Sequence, residues 1–165
     1  MADTELTALL AVLNSKREHV LGILEGLDDE ALRRPVLPSG WTCLGLVHHL
    51  ALDDEKFWFR AVAAGERAAI EEILGSGDSA WQPAPEKTAE EVFALYRREG
   101  ELADAFLADA DLAAAPQWWP DFFGDWRLDS LREVILHVIT ETATHAGHLD
   151  AVRELIDGRQ RLVLS

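Results

Sequence analysis

Residues 130–158 read SLREVILHVITETATHAGHLDAVRELIDG and contain the clearest helical signals of the chain. Ser130 and Glu133 form the S-x-x-E pattern of a capping box, and Gly158 is a typical C-terminal stop. Between them, apolar residues recur at steps of three and four, as they do on the buried face of a helix. The stretch therefore predicts one long helix that packs against neighbouring helices.

The apolar stripe of this helix is interrupted in its middle. Alternating steps of four and three residues trace Val134, Val138, Glu141, His145, His148, Val152 and Leu155. Such a stripe faces the interior of a bundle, and buried carboxylates and imidazoles need partners there. A divalent cation is one such partner, because it binds carboxylate oxygens and neutral imidazoles. Since Glu141 and His145 stand at i and i+4 on one face, they are candidate metal ligands. Core histidines satisfied by Glu141 and a backbone carbonyl, without metal, are the alternative.

A second predicted helix, from Trp41–Thr42 to about Gly65, offers the third ligand. His48 and His49 are adjacent on it, and helical spacing of about 100° per residue separates their directions. His49 lies at the edge of the apolar arc, whereas His48 should face solvent or a partner. His49 is therefore the predicted inward ligand. Asp53, one turn further, is either the acceptor for the other ring nitrogen of His49 or an ordinary surface acid.

Helical periodicity dominates the whole chain, and no stretch shows the alternation of a half-buried strand. The predicted fold is all-α, an antiparallel four-helix bundle in a single domain over residues 1–165. The four long helices are expected at about 3–24, 41–65, 88–107 and 130–158, with a short helical piece at 66–74. Thr88 and Glu91 form the capping box of the third.

Composition excludes several classes of function. The formal net charge of -15 argues against nucleic acid and against anionic membranes as partners. No apolar run reaches the roughly 20 residues of a membrane helix, and the first residues do not resemble a secretory signal. A single cysteine, Cys43, cannot form an intramolecular disulfide, so we expect a cytoplasmic protein.

The other candidate groups have mostly structural interpretations. Cys43 is predicted to be buried packing, and His137 to be structural or exposed because it lies off the stripe. His19, without a companion on the first helix, is predicted to lie at the surface. An aromatic loop follows Pro116, with Trp118, Trp119, Phe122, Phe123 and Trp126. It is interpreted as a packing or dimer surface, or else as the wall of a substrate pocket.

These residues together resemble the DinB-like superfamily of metal-binding four-helix bundles, over nearly the whole chain. The segment 38–59, with PSGWT, LGLVHHL and FWF, is similar to that family's first-ligand helix. The segment 137–158, with ETATHAGH and IDG, resembles its second-ligand helix. Glu141 stands where many members have a histidine, which resembles the branch of mycothiol-dependent maleylpyruvate isomerase and uncharacterised actinobacterial relatives. The resemblance implies His49, Glu141 and His145 as metal ligands. It also implies zinc or another transition metal such as nickel, and activity on thiols such as mycothiol.

The leading hypothesis is accordingly a metal-dependent thiol S-transferase or isomerase acting on a small-molecule electrophile. Three protein ligands leave a zinc-type site with an open position, where coordination would hold a thiol as thiolate. His148 is the candidate catalytic acid/base. The alternatives are a metallohydrolase, in which the metal activates water, and a non-catalytic metal-binding bundle. A homodimer is a further expectation.

Overall fold

The computed structural model describes residues 4–77 and 80–161. These residues form helices and no strand, which confirms the all-α class for the described part of the chain. The elements are α1 (Thr4–Leu24), α2 (Asp29–Arg33), α3 (Cys43–His49), a π-helical segment (Leu50–Ala63), α4 (Arg67–Gly75), α5 (Ala89–Leu107), a 3-10 turn (Asp121–Phe123) and α6 (Leu131–Asp157).

The helix ends follow the capping signals of the sequence. Thr42 accepts a hydrogen bond from the Gly45 amide and caps α3, and Thr88 and Glu91 form a reciprocal capping box at α5. Gly158 ends α6 in the left-handed conformation, with φ of 79°. The predicted start of α1 at Asp3 lies outside the described residues.

One end differs in detail from its predicted capping box. Ser130 caps α6 by accepting from the Glu133 amide, at 3.3 Å. The Glu133 carboxylate, however, accepts from the amide of Asp129 rather than from that of Ser130.

The second predicted helix is one continuous rod, formed by α3 and the π-helical segment, and its hydrogen bonding changes from α to π along its length. α3 passes directly into the π-helical segment, in which each turn contains more residues than an α-turn. This rod is buried over most of its circumference, because α5, α6 and α4 pack against it. α1 packs mainly on α6.

A band of buried polar groups divides the apolar core into two clusters. One cluster surrounds Leu46 and Leu149, and the other surrounds Phe59 and Val134. Between them lie the buried polar side chains Arg17, Asp54, Glu55, Glu99 and Thr142. Glu141 directly precedes Thr142 on α6, so this candidate ligand stands next to the polar band.

The predicted stripe on α6 was wrong in its outer part. Leu155 is 64 % exposed and His148 is also exposed, while Glu141 and His145 lie at the edge of the buried face. The buried stripe passes through Leu131, Val134, Ile135, Val138, Thr142, Ala146, Leu149 and Val152. A straight α-helix has 3.6 residues per turn, so a strict 3.5-residue stripe drifts by about 20° per heptad away from the contact face.

Candidate functional site

His49 ends α3 and is fixed on two sides. Its Nδ1 donates to Asp53 Oδ2 at 2.7 Å, and its ring stacks on the indole of Trp81 at 4.1 Å between centroids. Asp53 therefore accepts a hydrogen bond from His49, which is one of the two roles predicted for it. With Nδ1 engaged, Nε2 is the nitrogen of His49 that remains for a ligand.

His145 and Glu141, on α6, stand opposite His49. The rings of His49 and His145 meet edge to face at 5.2 Å, and His145 Nε2 lies 3.8 Å from Glu141 Oε2. Burial, with the positive charge that His49 and His148 would carry, lowers the pKa of His145 to about 4. His145 is thus a neutral imidazole at neutral pH, which is the form that binds metals.

The three predicted ligands are neighbours, but they do not converge as they stand. In residues 4–77 and 80–161, no group of three His, Cys, Asp or Glu side chains is arranged to hold a metal ion. Their chemistry fits such an ion, because two imidazoles and a carboxylate are a common zinc donor set. The Glu141 side chain is 40 % exposed, so it has room to reorient toward the two rings.

A cleft of about 530 Å³ opens beside this group. His49 and Glu141 form part of its wall, together with the aromatic side chains of Phe57, Trp58, Phe122, Phe123 and Trp126. The loop aromatics thus include three cleft residues, as the pocket-wall interpretation expected. Trp118 and Trp119 instead pack on Phe57 and Trp58.

His137 lies inside this cleft rather than at an exposed surface. It is half-buried, with its ring 4.5 Å from that of Trp58, and burial lowers its pKa. It stands one turn before Glu141 on α6. The sequence prediction followed the stripe through Val134 and Val138 and therefore missed His137 as a site residue. The i, i+4 spacing between His137 and Glu141 was a signal that could have identified it.

His48 is buried and does not face solvent, which was one of the two positions predicted for it. Its Nδ1 donates to the carbonyl oxygen of Ala80 at 2.7 Å, and Lys87 Nζ lies 3.4 Å from its Nε2. The loop between α4 and α5 covers this face of α3, and helical periodicity carries no information about such a covering loop. His49, by contrast, does face His145, as predicted.

His148 is exposed and does not line the aromatic cleft. Its Nδ1 lies 3.4 Å from Nδ1 of His145, and its ring is 6.4 Å from that of Trp41. Its role as an acid/base therefore stays a prediction.

The predictions for Cys43 and His19 had different outcomes. Cys43 is fully buried, and burial raises its pKa to about 11, which confirms a packing role. His19 is also buried, with Nε2 2.8 Å from Asp150 Oδ1, so its predicted surface position was wrong.

Besides His137, two residues of the site were not found from the sequence. Trp81 contacts both His49 and His145, at 4.1 and 5.6 Å, from a loop without any periodic signal. Asp54 lines the cleft beside His49, although i+5 on an ordinary α-helix points elsewhere.

None of the described helices is long and apolar enough to cross a membrane. No curated protein matches the chain significantly. The family described as mycothiol-S-transferase matches residues 8–158, which include every residue of the site above. This match confirms the expected DinB-like, mycothiol-related branch. The chain belongs to the mycothiol-S-transferase family.

Proposed function

We propose that the protein is a divalent-metal-dependent S-transferase or isomerase that uses a low-molecular-weight thiol such as mycothiol. The observation that carries the proposal is that neutral His145 lies against His49, whose ring is oriented by Asp53. The two histidines lie at the edge of an aromatic cleft, in a chain of this family. Zinc is the expected ion, and nickel or another transition metal is the alternative.

His49, Glu141 and His145 would hold the ion. When bound, it would lower the pKa of a coordinated thiol so that the sulfur is held as thiolate at neutral pH. Asp53 fixes the tautomer and direction of His49, and the stacked indole of Trp81 limits rotation of the same ring. Burial keeps His145 unprotonated for the same purpose.

The aromatic cleft would bind the electrophile. Phe57, Trp58 and Phe123 offer apolar faces that exclude water from the reacting atoms. In a transfer, the thiolate sulfur would bond to the electrophilic carbon, and the leaving group would depart with its bonding electrons. The thiol proton passes to solvent, for which His148 is the candidate carrier because it lies against His145 and is exposed.

The proposal also covers the arrangement of the helices, the cellular location and the oligomeric state. The long helices would form the antiparallel four-helix bundle of DinB-like proteins, and the protein would act in the cytoplasm. We also propose a homodimer that forms through the aromatic loop, where Phe122 and Trp126 are exposed.

The experiment is a conjugation assay with zinc-loaded protein, mycothiol and an aromatic electrophile such as chlorodinitrobenzene, followed by absorbance. We expect turnover that needs both thiol and metal and that falls at least about a hundredfold in His49→Ala. Glu90→Gln, an exposed change on α5, is the matched control and should keep full activity.

The assay separates this proposal from its alternatives. Turnover of the electrophile without any thiol would favour the metallohydrolase. Stoichiometric zinc with no turnover of a panel of electrophiles would favour a metal-binding bundle without catalysis.

A further inference from the structure

Asp54 is a buried carboxylate without a partner for one of its oxygens. The residue is 3 % exposed, and its Oδ2 meets no hydrogen-bond donor within the described ranges. Such a group is costly, since a buried acceptor that has lost water and gained no partner destabilises the fold. Because Asp54 forms part of the cleft wall, a ligand bound there would give this oxygen a partner.

The π-helical winding brings Asp54 to the same cleft as His49. On an α-helix, residue i+5 is turned by about 140° from residue i. A π-helix closes its hydrogen bonds from i to i+5, so residue i+5 returns to nearly the same face. The π-helical segment begins directly after His49, and both His49 and Asp54 line the cleft. π-Helical turns occur frequently at functional sites.

The surroundings of Asp54 are acidic. After burial itself, the carboxylates of Glu141, Glu55 and Asp53 contribute to raising the pKa of Asp54. No Lys or Arg lies among the described residues of the cleft wall. Arg17 neutralises Glu55, and Lys56 pairs with Glu72. Among the described residues, Asp54, Asp53 and Glu141 therefore form no ion pair with a Lys or Arg.

We propose that Asp54 supplies a carboxylate oxygen to the metal ion alongside His49, Glu141 and His145 when no thiol is bound, and that an incoming thiol takes the position of this oxygen. The inference rests on the metal dependence in the proposed function and adds a residue to the site. A water molecule held by Asp54 Oδ2 is the competing explanation, and it predicts no effect of Asp54 on metal affinity.

The test is zinc affinity in the absence of any substrate, measured by competition with a chromophoric chelator at neutral pH. Asp54→Asn keeps the size of the side chain and removes its charge, and we expect zinc affinity to fall at least about tenfold. Asp121→Asn, the same change at an exposed position on the 3-10 turn, is the matched control and should alter affinity less than about twofold. Asp54→Ser serves as a second variant with the same expected loss.

A second measurement distinguishes a ligand from a structural residue. In the presence of a chelator, Asp54→Asn should melt at the same or a higher temperature than the wild type, because an unpartnered buried carboxylate is removed. The rise in melting temperature on adding zinc should be smaller in the variant.

The outcomes are separable. Equal zinc affinity in wild type and Asp54→Asn overturns the inference and leaves the proposed function standing. A variant that is clearly destabilised without metal also overturns it, since Asp54 would then be a structural residue. Absence of zinc binding by the wild type would overturn both the inference and the metal dependence of the proposed function.

Discussion

At the scale of single residues, the site depends on which histidines stay neutral. His145 is shielded from water by the ring of Trp81 and lies edge to face with His49. Protonation there would place a charge in a poorly solvated position next to other imidazoles, so its pKa falls from 6.5 to about 4. His145 therefore links proton binding to folding.

The first prediction concerns pH and stability without metal. Between pH 6.5 and pH 4 the unfolded chain protonates His145 and the folded chain does not, so stability decreases as the pH falls through this range. Lowering the pH from 7 to 5 should cost about 1–2 kcal/mol through this group. His145→Gln should show a correspondingly smaller loss in urea unfolding with chelator present. Identical pH dependence in the two proteins would contradict a buried neutral His145.

At the scale of elements, the loop between α4 and α5 completes the site. It brings Trp81 against His49 and covers His48. This close approach requires Gly45 on α3, because a Cβ there would lie 2.2 Å from the carbonyl oxygen of Trp81. The loop backbone therefore rests directly on the helix that carries His49.

The second prediction tests this contact with two glycine substitutions. Gly45→Ala should destabilise the protein by about 1–3 kcal/mol, because backbone must move to admit the methyl group. Gly147→Ala on α6 meets nothing within 4 Å and should stabilise by about 0.5–1 kcal/mol through helix propensity. Denaturant unfolding measures both. A stabilising Gly45→Ala would show that the loop does not press on α3.

The third prediction concerns the loop aromatics. Phe123 stacks on Trp58 at 5.7 Å and lines the cleft. Phe123→Ala should raise KM for an apolar electrophile at least about fivefold and leave KM for the thiol unchanged, since a lost aromatic contact is worth about 1 kcal/mol or more. Leu136→Ala, an exposed apolar position on α6, is the control. Equal KM values for Phe123→Ala and wild type would place the electrophile outside the cleft.

At the scale of the whole molecule, buried ion pairs join the helices across the polar band. Arg17 on α1 forms two hydrogen bonds with Glu55 on the π-helical segment, at 2.7 and 2.6 Å, and one with Asp104 on α5. Arg60 connects the same segment to Glu99 on α5. These contacts fix how the rod carrying His49 and Asp54 is set against its neighbours.

The fourth prediction compares a buried with an exposed arginine. Arg17→Met should destabilise by about 3–5 kcal/mol, because it leaves the carboxylate of Glu55 buried without its partner. Arg67→Met removes a surface pair with Glu71 and should change stability by less than about 1 kcal/mol. Thermal and urea unfolding report both values. Similar losses in the two variants would mean that the Arg17 pair is not desolvated.

Local sequence rules are sufficient to predict the positions of the long helices, most of their caps and the neighbourhood of His49, Glu141 and His145. These depend on local rules: capping side chains, a glycine at a helix end and apolar spacing along one helix act within a few residues. The heptad stripe reached only the edge of the buried face at Glu141 and His145 and left that face at His148 and Leu155, because its period is slightly too short for a straight helix.

The surroundings of the site could not be predicted from the sequence. His48 is buried by a covering loop, Trp81 reaches His49 from that loop, and Asp54 enters the cleft through a π-helical winding. Each depends on contacts between segments distant in the chain or on a winding that the 100° rule does not represent. Helical periodicity gives the direction of a side chain on its own helix, whereas its burial depends on what packs against that face.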